Sequence, residues 1–222
     1  MPTANEIFTV ESQGWTLRAS APEQPADAGP LVLLHGWTGD ETVMWIFARK
    51  LAKHRWVLAP RGPVSAPEGG FGWLPHRTAG GEWPILADFQ TAADQVMAAL
   101  PGWLEQAGVP RAVQEKPLDL MGFSQGAAMA LALAAFYPRQ VERVAALAGF
   151  LPAPAGAVAL TVFSGKKIYI AHGTQDETVP VSMAQESARI LQSAGAQVTY
   201  CESDAGHKLS LSCAKGLEAF LS

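Results

Sequence analysis

Leu118-Asp119-Leu120-Met121-Gly122-Phe123-Ser124-Gln125-Gly126 is the stretch on which the fold turns. It leads from an apolar, strand-like segment through Gly-x-Ser-x-Gly into Gln125 to Tyr137, where Ala127, Ala128, Met129, Ala130, Leu131, Ala132 and Leu133 leave no polar face. A helix that is apolar all round has to be buried, and Pro138 stops it. A strand that turns this sharply into a helix lifts the serine hydroxyl above the sheet edge. The turn closes only if the residues two before and two after the serine carry almost no side chain, which Gly122 and Gly126 satisfy. Ser124 is therefore the candidate nucleophile.

A serine hydroxyl is a poor nucleophile until a base takes its proton, so a carboxylate and a histidine are expected downstream. Lys167 to Gly173 reads as a buried strand that ends in the polar loop Thr174-Gln175-Asp176-Glu177-Thr178-Val179-Pro180. Asp176 is the candidate orienting acid, with Glu177 and Asp204 as rivals. After another helix and the strand Gln197 to Glu202, Ser203-Asp204-Ala205-Gly206-His207 places His207, the candidate base, just before the last helix. Loops at the carboxyl ends of parallel strands converge on one crevice, so residues distant in sequence can meet there.

Negative charge developing on an attacked carbonyl oxygen calls for preorganised donors. The backbone N–H of Gln125, at a helix N-terminus, is one expected donor of this oxyanion hole. The other is expected from Leu31-Val32-Leu33-Leu34-His35-Gly36-Trp37-Thr38-Gly39, a strand running into a Gly-containing turn; Trp37 N–H is the first choice and Thr38 the second. His35 and His172, each at a strand end before a glycine, read as hydrogen-bonded structural residues. Trp73 and Phe150 are the candidate substrate contacts.

Strand-like and helix-like segments alternate along the chain, the pattern of a mostly parallel α/β sheet with helices on both faces. Glu6 to Val10 and Trp15 to Ala19, joined at Gln13-Gly14, predict an opening antiparallel hairpin. Helices are predicted over Thr42 to His54, Leu86 to Ala107, Gln125 to Tyr137, Val181 to Ala194 and Lys208 to Leu221 from apolar residues three and four apart. Pro101-Gly102 is expected to kink or split the second of these, and Gly195 to stop the fourth. The irregular, Gly- and Pro-rich stretch 60–84, with Phe71, Trp73 and Trp83, reads as a possible pocket wall, because loops this long are usually functional or disordered.

His35-Gly36, the Gly122-Phe123-Ser124-Gln125-Gly126 elbow, Leu147-Ala148-Gly149-Phe150-Leu151-Pro152, His172 to Pro180 and Gly206-His207 follow one another in an order and spacing that resemble the phospholipase/carboxylesterase family of α/β-hydrolases. That family includes small bacterial carboxylesterases, lysophospholipases and acyl-protein thioesterases, and the resemblance runs from about Gly29 to the C-terminus. It implies the α/β-hydrolase fold, a Ser124–Asp176–His207 triad and hydrolysis of carboxylic esters without a metal or organic cofactor. The alternatives are thioester or lysophospholipid hydrolysis, and a non-catalytic small-molecule-binding relative, which would be expected to lose a member of the triad. The chain departs from the family pattern at Ala127, where a second glycine is common, and at Trp37, where leucine is usual. A tryptophan there is expected to narrow the crevice toward short- to medium-chain esters.

Length and composition agree with one domain spanning residues 1–222: nearly half the residues are apolar, enough to cover both faces of a sheet. A formal charge of −4 with scattered Lys and Arg argues against nucleic acid as a partner. Met1-Pro2-Thr3-Ala4-Asn5-Glu6 lacks the basic and apolar regions of a leader, and no apolar run reaches spanning length. The expectation is a cytoplasmic enzyme acting on a small-molecule ester without stable membrane association. In that reducing compartment, Cys201 and Cys213 are expected to be separate buried thiols.

Overall fold

Strands β1 (Ile7–Ser12) and β2 (Trp15–Ser20) pair antiparallel, with Ser12 opposite Trp15. Gln13 and Gly14 between them both have positive φ, 52° and 81°. That is the two-residue turn whose twist matches a hairpin's own. The structure, a computed structural model, describes residues 6–25, 27–75, 82–153 and 160–222. The reading of residues 1–5 as lacking a leader therefore falls outside the described residues, as does the 76–81 part of the expected pocket wall.

β3 (Leu31–Leu34), β4 (Val57–Pro60), a small separate hairpin of β5 (Val64–Ser65) with β6 (Phe71–Gly72), and β7 (Leu118–Phe123), β8 (Val141–Leu147), β9 (Lys167–Gly173) and β10 (Gln197–Ser203) follow in the chain. The main sheet has eight strands in the order β1-β2-β4-β3-β7-β8-β9-β10. β2 meets β4 antiparallel, and from β4 to β10 every pairing is parallel. Alternation along β3 sends Val32 and Leu34 to one core and Leu31 and Leu33 to the other.

Helices α1 (Trp45–Ala48), α2 (Gln90–Ala107), α3 (Arg111–Gln114), α4 (Gln125–Phe136), α5 (Val181–Ser193) and α6 (Leu211–Leu221) cover the sheet. Buried residues of α2, α4 and α5 join the core on one face, and those of α1 and α6 the core on the other. This is the α/β-hydrolase arrangement expected from the sequence. Ten of the residues of α4 are buried, Gly126 to Ala135, as a helix with no polar face requires.

Several boundaries differ from expectation. Thr42 to His54 forms only α1 and a 3₁₀ turn, Leu51–Lys53, although Trp45, Ala48, Leu51 and Ala52 are buried at helical spacing. α2 runs unbroken through Pro101. Pro101 lies on the exposed side of the helix. Gly195, with φ 87°, does end α5. α6 begins later than expected because Ser210 caps it, its hydroxyl accepting from Cys213 N–H.

Cys201 and Cys213 are not separate thiols. They form a disulfide, with their Cα atoms 5.8 Å apart. Cys201 lies on the edge strand β10, and the chain reverses so that the first turn of α6 comes back over it. The expectation rested on compartment, which carries no geometry.

Candidate active site

Ser124 stands between β7 and α4 with φ 53° and ψ −119°. A non-glycine residue here is strained. A Cβ on Gly122 would lie 2.0 Å from the Gly126 carbonyl oxygen, and one on Gly126 2.0 Å from that of Leu34. The two glycines are therefore what let the elbow close against β3.

Asp176 and His207 leave the carboxyl ends of β9 and β10, and their loops interlock: Gln175 N–H donates to the Ala205 carbonyl and Thr174 N–H to that of Ser203. His207 Nδ1–H donates to Asp176 Oδ2 at 2.7 Å. Glu177 and Asp204, the rival acids, are exposed and make no bond with His207. Burial works to raise the pKa of Asp176, but the Val179 N–H, the His207 ring and the Thr178 N–H outweigh it and hold the carboxyl below its ordinary value. His172 Nε2–H donates to the Val179 carbonyl at 2.8 Å and also lies 3.2 Å from Asp176 Oδ2, both side chains being buried. The Phe123 ring packs 4.9 Å from that of His207, centroid to centroid, a support that sequence reading missed although Phe123 lies inside the elbow motif.

Ser124, Gln125, Trp37 and His207 line one cleft of 1120 Å³ at the strand ends, without a hydrogen bond between Ser124 and His207. Its other walls are largely apolar, among them Phe47, Leu74, Trp83 and Phe150. Phe150 is on the cleft wall, edge-on to Trp83 at 5.0 Å. Trp73, the other candidate contact, is not. It is 1% exposed and contributes nothing to the cleft wall; its indole Nε1–H donates to the His35 carbonyl at 2.8 Å. A fully buried tryptophan needs a partner for its N–H, and here that partner is the backbone of the turn carrying Trp37. Val43 and Ile46, also at the cleft, are 43% and 74% exposed, an apolar rim that the sequence did not reveal.

The turn after β3 is closed by Gly39 N–H donating to Gly36 O at 3.1 Å, with Thr38 at φ 63°. His35, fully buried, holds it from behind. Gly62 N–H donates to His35 Nε2 at 2.8 Å, which leaves the ring proton on Nδ1, facing the Gly36 carbonyl at 2.7 Å. Burial lowers the pKa of His35 from 6.5, against the raising effects of the Gly36 carbonyl, Asp40 and Glu41. The unfolded chain thus takes this proton more readily than the folded one. The stability tied to neutral His35 is complete above about pH 6.5 and is lost as pH falls toward the folded value. His35→Gln is accordingly expected to flatten the fall in Tm between about pH 7 and about pH 5, measured by thermal melts against the unaltered protein; an equally steep fall would overturn this.

Among the described residues, no helix is long and apolar enough to cross a membrane, and no group of three or more His, Cys, Asp and Glu residues could hold a metal. No curated protein matches this chain. Solved structures do: a carboxylesterase from Mesorhizobium loti with 21% identity, 97% of this chain and 98% of that one covered and a TM-score of 0.79, and a carboxylesterase from Bacillus cereus with 22% identity, 94% of each chain covered and a TM-score of 0.78. The esterase PE8 is similar too, at 23% identity, 96% and 98% coverage and a TM-score of 0.75. At such identities the likeness is one of fold. The family is carried by the sequence itself: the model for Phospholipase/Carboxylesterase matches residues 17–222, and the chain belongs to that family.

Proposed function

We propose that this chain is a single-domain serine carboxylesterase that works through an acyl-enzyme. The observation that carries the reading is the strained Ser124, opening onto the same cleft as a histidine whose Nδ1–H is held by a buried carboxylate. With its Nδ1 proton held toward Asp176, His207 has Nε2 as its basic nitrogen. Ser124 Oγ attacks the ester carbonyl as His207 takes its proton, and the oxyanion is held by the Trp37 and Gln125 N–H groups. Collapse expels the alcohol, protonated by His207; water, activated by the same nitrogen, then releases the acid. Asp176 fixes the tautomer and stabilises the imidazolium.

The expectation of short- to medium-chain esters rested on Trp37 and the aromatic-bearing stretch 60–84 narrowing the crevice. Trp37 does line the cleft, with its ring packed on Gly72, but the cleft is large and mostly apolar. That volume, with the exposed Val43 and Ile46, favours a second reading in which longer acyl groups, including those of thioesters or lysophospholipids, are accepted. A hydrophobic pocket discriminates by only about 1–3 kcal/mol per methylene. Across a series of p-nitrophenyl esters, kcat/KM is expected to rise from acetate through hexanoate. A continued rise to palmitate, or faster cleavage of matched thioesters, would move the second reading to first place, and no hydrolysis of any member would overturn both. The Cys201–Cys213 bond favours an oxidising compartment over the expected cytoplasm, since disulfides rarely persist in reducing ones.

A further inference from the structure

Residues 61–75 leave β4, where Arg61 N–H donates to the Thr16 carbonyl of β2 at 2.9 Å, form the β5–β6 hairpin and return across the strand ends, and most of their other polar attachments go to the two segments that supply the proposed oxyanion donors. At the near end, Arg61 grips Glu41 with two hydrogen bonds of 2.7 and 2.9 Å, and Gly62 N–H donates to His35. At the far end, Phe71 N–H donates to the Gly39 carbonyl at 2.8 Å and Trp73 Nε1–H to that of His35. Two further attachments are to Gln125 itself. Its side-chain Oε1 accepts from Trp73 N–H at 2.7 Å, and its Nε2 donates to the Leu74 carbonyl at 3.2 Å.

Gly72 lies between the side chains of Trp37 and Gln125. A Cβ there would stand 2.3 Å from Trp37 Cε3 and 2.8 Å from Gln125 Oε1, so one residue of this strap touches the side chains of both. Gly62 backs it, since a Cβ on Gly62 would be 2.4 Å from the Gly72 carbonyl oxygen. The turn carrying Trp37 contains the left-handed Thr38 and is not a regular element. Backbone strain of this kind persists only where surrounding contacts over-determine it.

We infer that the strap 61–75 is a latch that sets the spacing of the Trp37 and Gln125 N–H groups, with Gly72, Trp73 and the Gln125 side chain as positioning residues. This rests on the serine-esterase reading above. Because the latch acts on donors that matter most when the oxyanion forms, loosening it lowers kcat and leaves substrate binding largely intact.

The test uses the full chain, a soluble p-nitrophenyl butyrate substrate, an alkyl boronic acid as tetrahedral mimic and a fluorophosphonate label. Trp73→Phe keeps an aromatic ring and removes the indole donor; kcat is expected to fall about tenfold with KM changed less than about threefold. Gly72→Ala pushes on the side chains of both donor residues and is expected to cost about a hundredfold in kcat. Boronic acid affinity should fall in step with kcat in each variant. A loss of Tm with kcat unchanged, or a rise in KM alone, would overturn the latch and leave a merely structural strap. If Gly72→Ala does not fold, Trp73→Phe decides by the same measures. An unaltered protein that neither hydrolyses the ester nor takes the label would overturn the esterase reading beneath it, whereas an active, labelled protein with variants at its own kcat would overturn the latch alone.

Discussion

Ser124→Ala is expected to lower kcat by about six orders of magnitude, leaving only what oxyanion stabilisation and binding contribute without a nucleophile. KM should change little, because alanine removes one hydroxyl from a cleft whose walls are mostly apolar. The backbone at this position is set by Gly122, Gly126 and the buried α4, so the variant should fold and melt close to the parent. A fluorophosphonate should modify the unaltered protein at one residue, mapped by mass spectrometry to Ser124, since only a serine paired with a base reacts fast. Labelling elsewhere, or full activity in the variant, would remove the mechanism.

The second large effect is expected from Asp176→Asn, at about four orders of magnitude in kcat. Asn Oδ1 can still accept the Thr178 and Val179 N–H groups, so the loop keeps its shape. The change falls on the atom facing His207, where an amide NH₂ donates instead of accepting. That turns the imidazole to the tautomer with its proton on Nε2, the nitrogen that has to take the serine proton. Glu177→Gln and Asp204→Asn, at exposed positions without a bond to His207, should cost far less; a larger loss from either would reassign the acid.

What could be read from the chain and what could not divides along physical lines. The elbow was legible because its constraint is local: two glycines within two residues of a serine, between an apolar strand and an all-apolar helix. The Asp176–His207 pairing was legible as an order of residues on strand ends, because parallel strands bring their carboxyl ends to one side. Trp73 was misread because an aromatic residue in a Gly-rich loop gives no sign of which way it faces, and only the approach of the His35 carbonyl turns it inward. The Gln125 side chain was missed for a related reason, since both its partners are backbone groups fifty residues away and leave no trace in its own neighbourhood. Asp119 shows the same limit. It was read as part of a strand, yet it is buried at the end of β7 away from the cleft, paired with Arg55 at 2.6 Å and Arg143 at 2.7 Å. Such a network depends on three distant stretches of the sequence meeting, and no local pattern encodes it.

The disulfide changes how the edge of the sheet can come apart. Among the described residues β10 has a neighbour on one side only, and α6 is the last helix laid over it. In a chain without a crosslink, such a terminal pair is the natural unit to fray on its own, well below the free energy of global unfolding. Joining Cys201 to Cys213 closes a ring around the segment that carries His207, and Tyr169 on β9 adds a hydroxyl bond to the Cys213 carbonyl at 2.7 Å. By the chain-entropy model a ring of this size stabilises the fold by about 3 kcal/mol, through the conformations it denies the unfolded chain. Edge strand, loop and helix then open together or not at all, so amide protons of the His207 loop should exchange on the timescale of the sheet edge and not on that of a free surface loop.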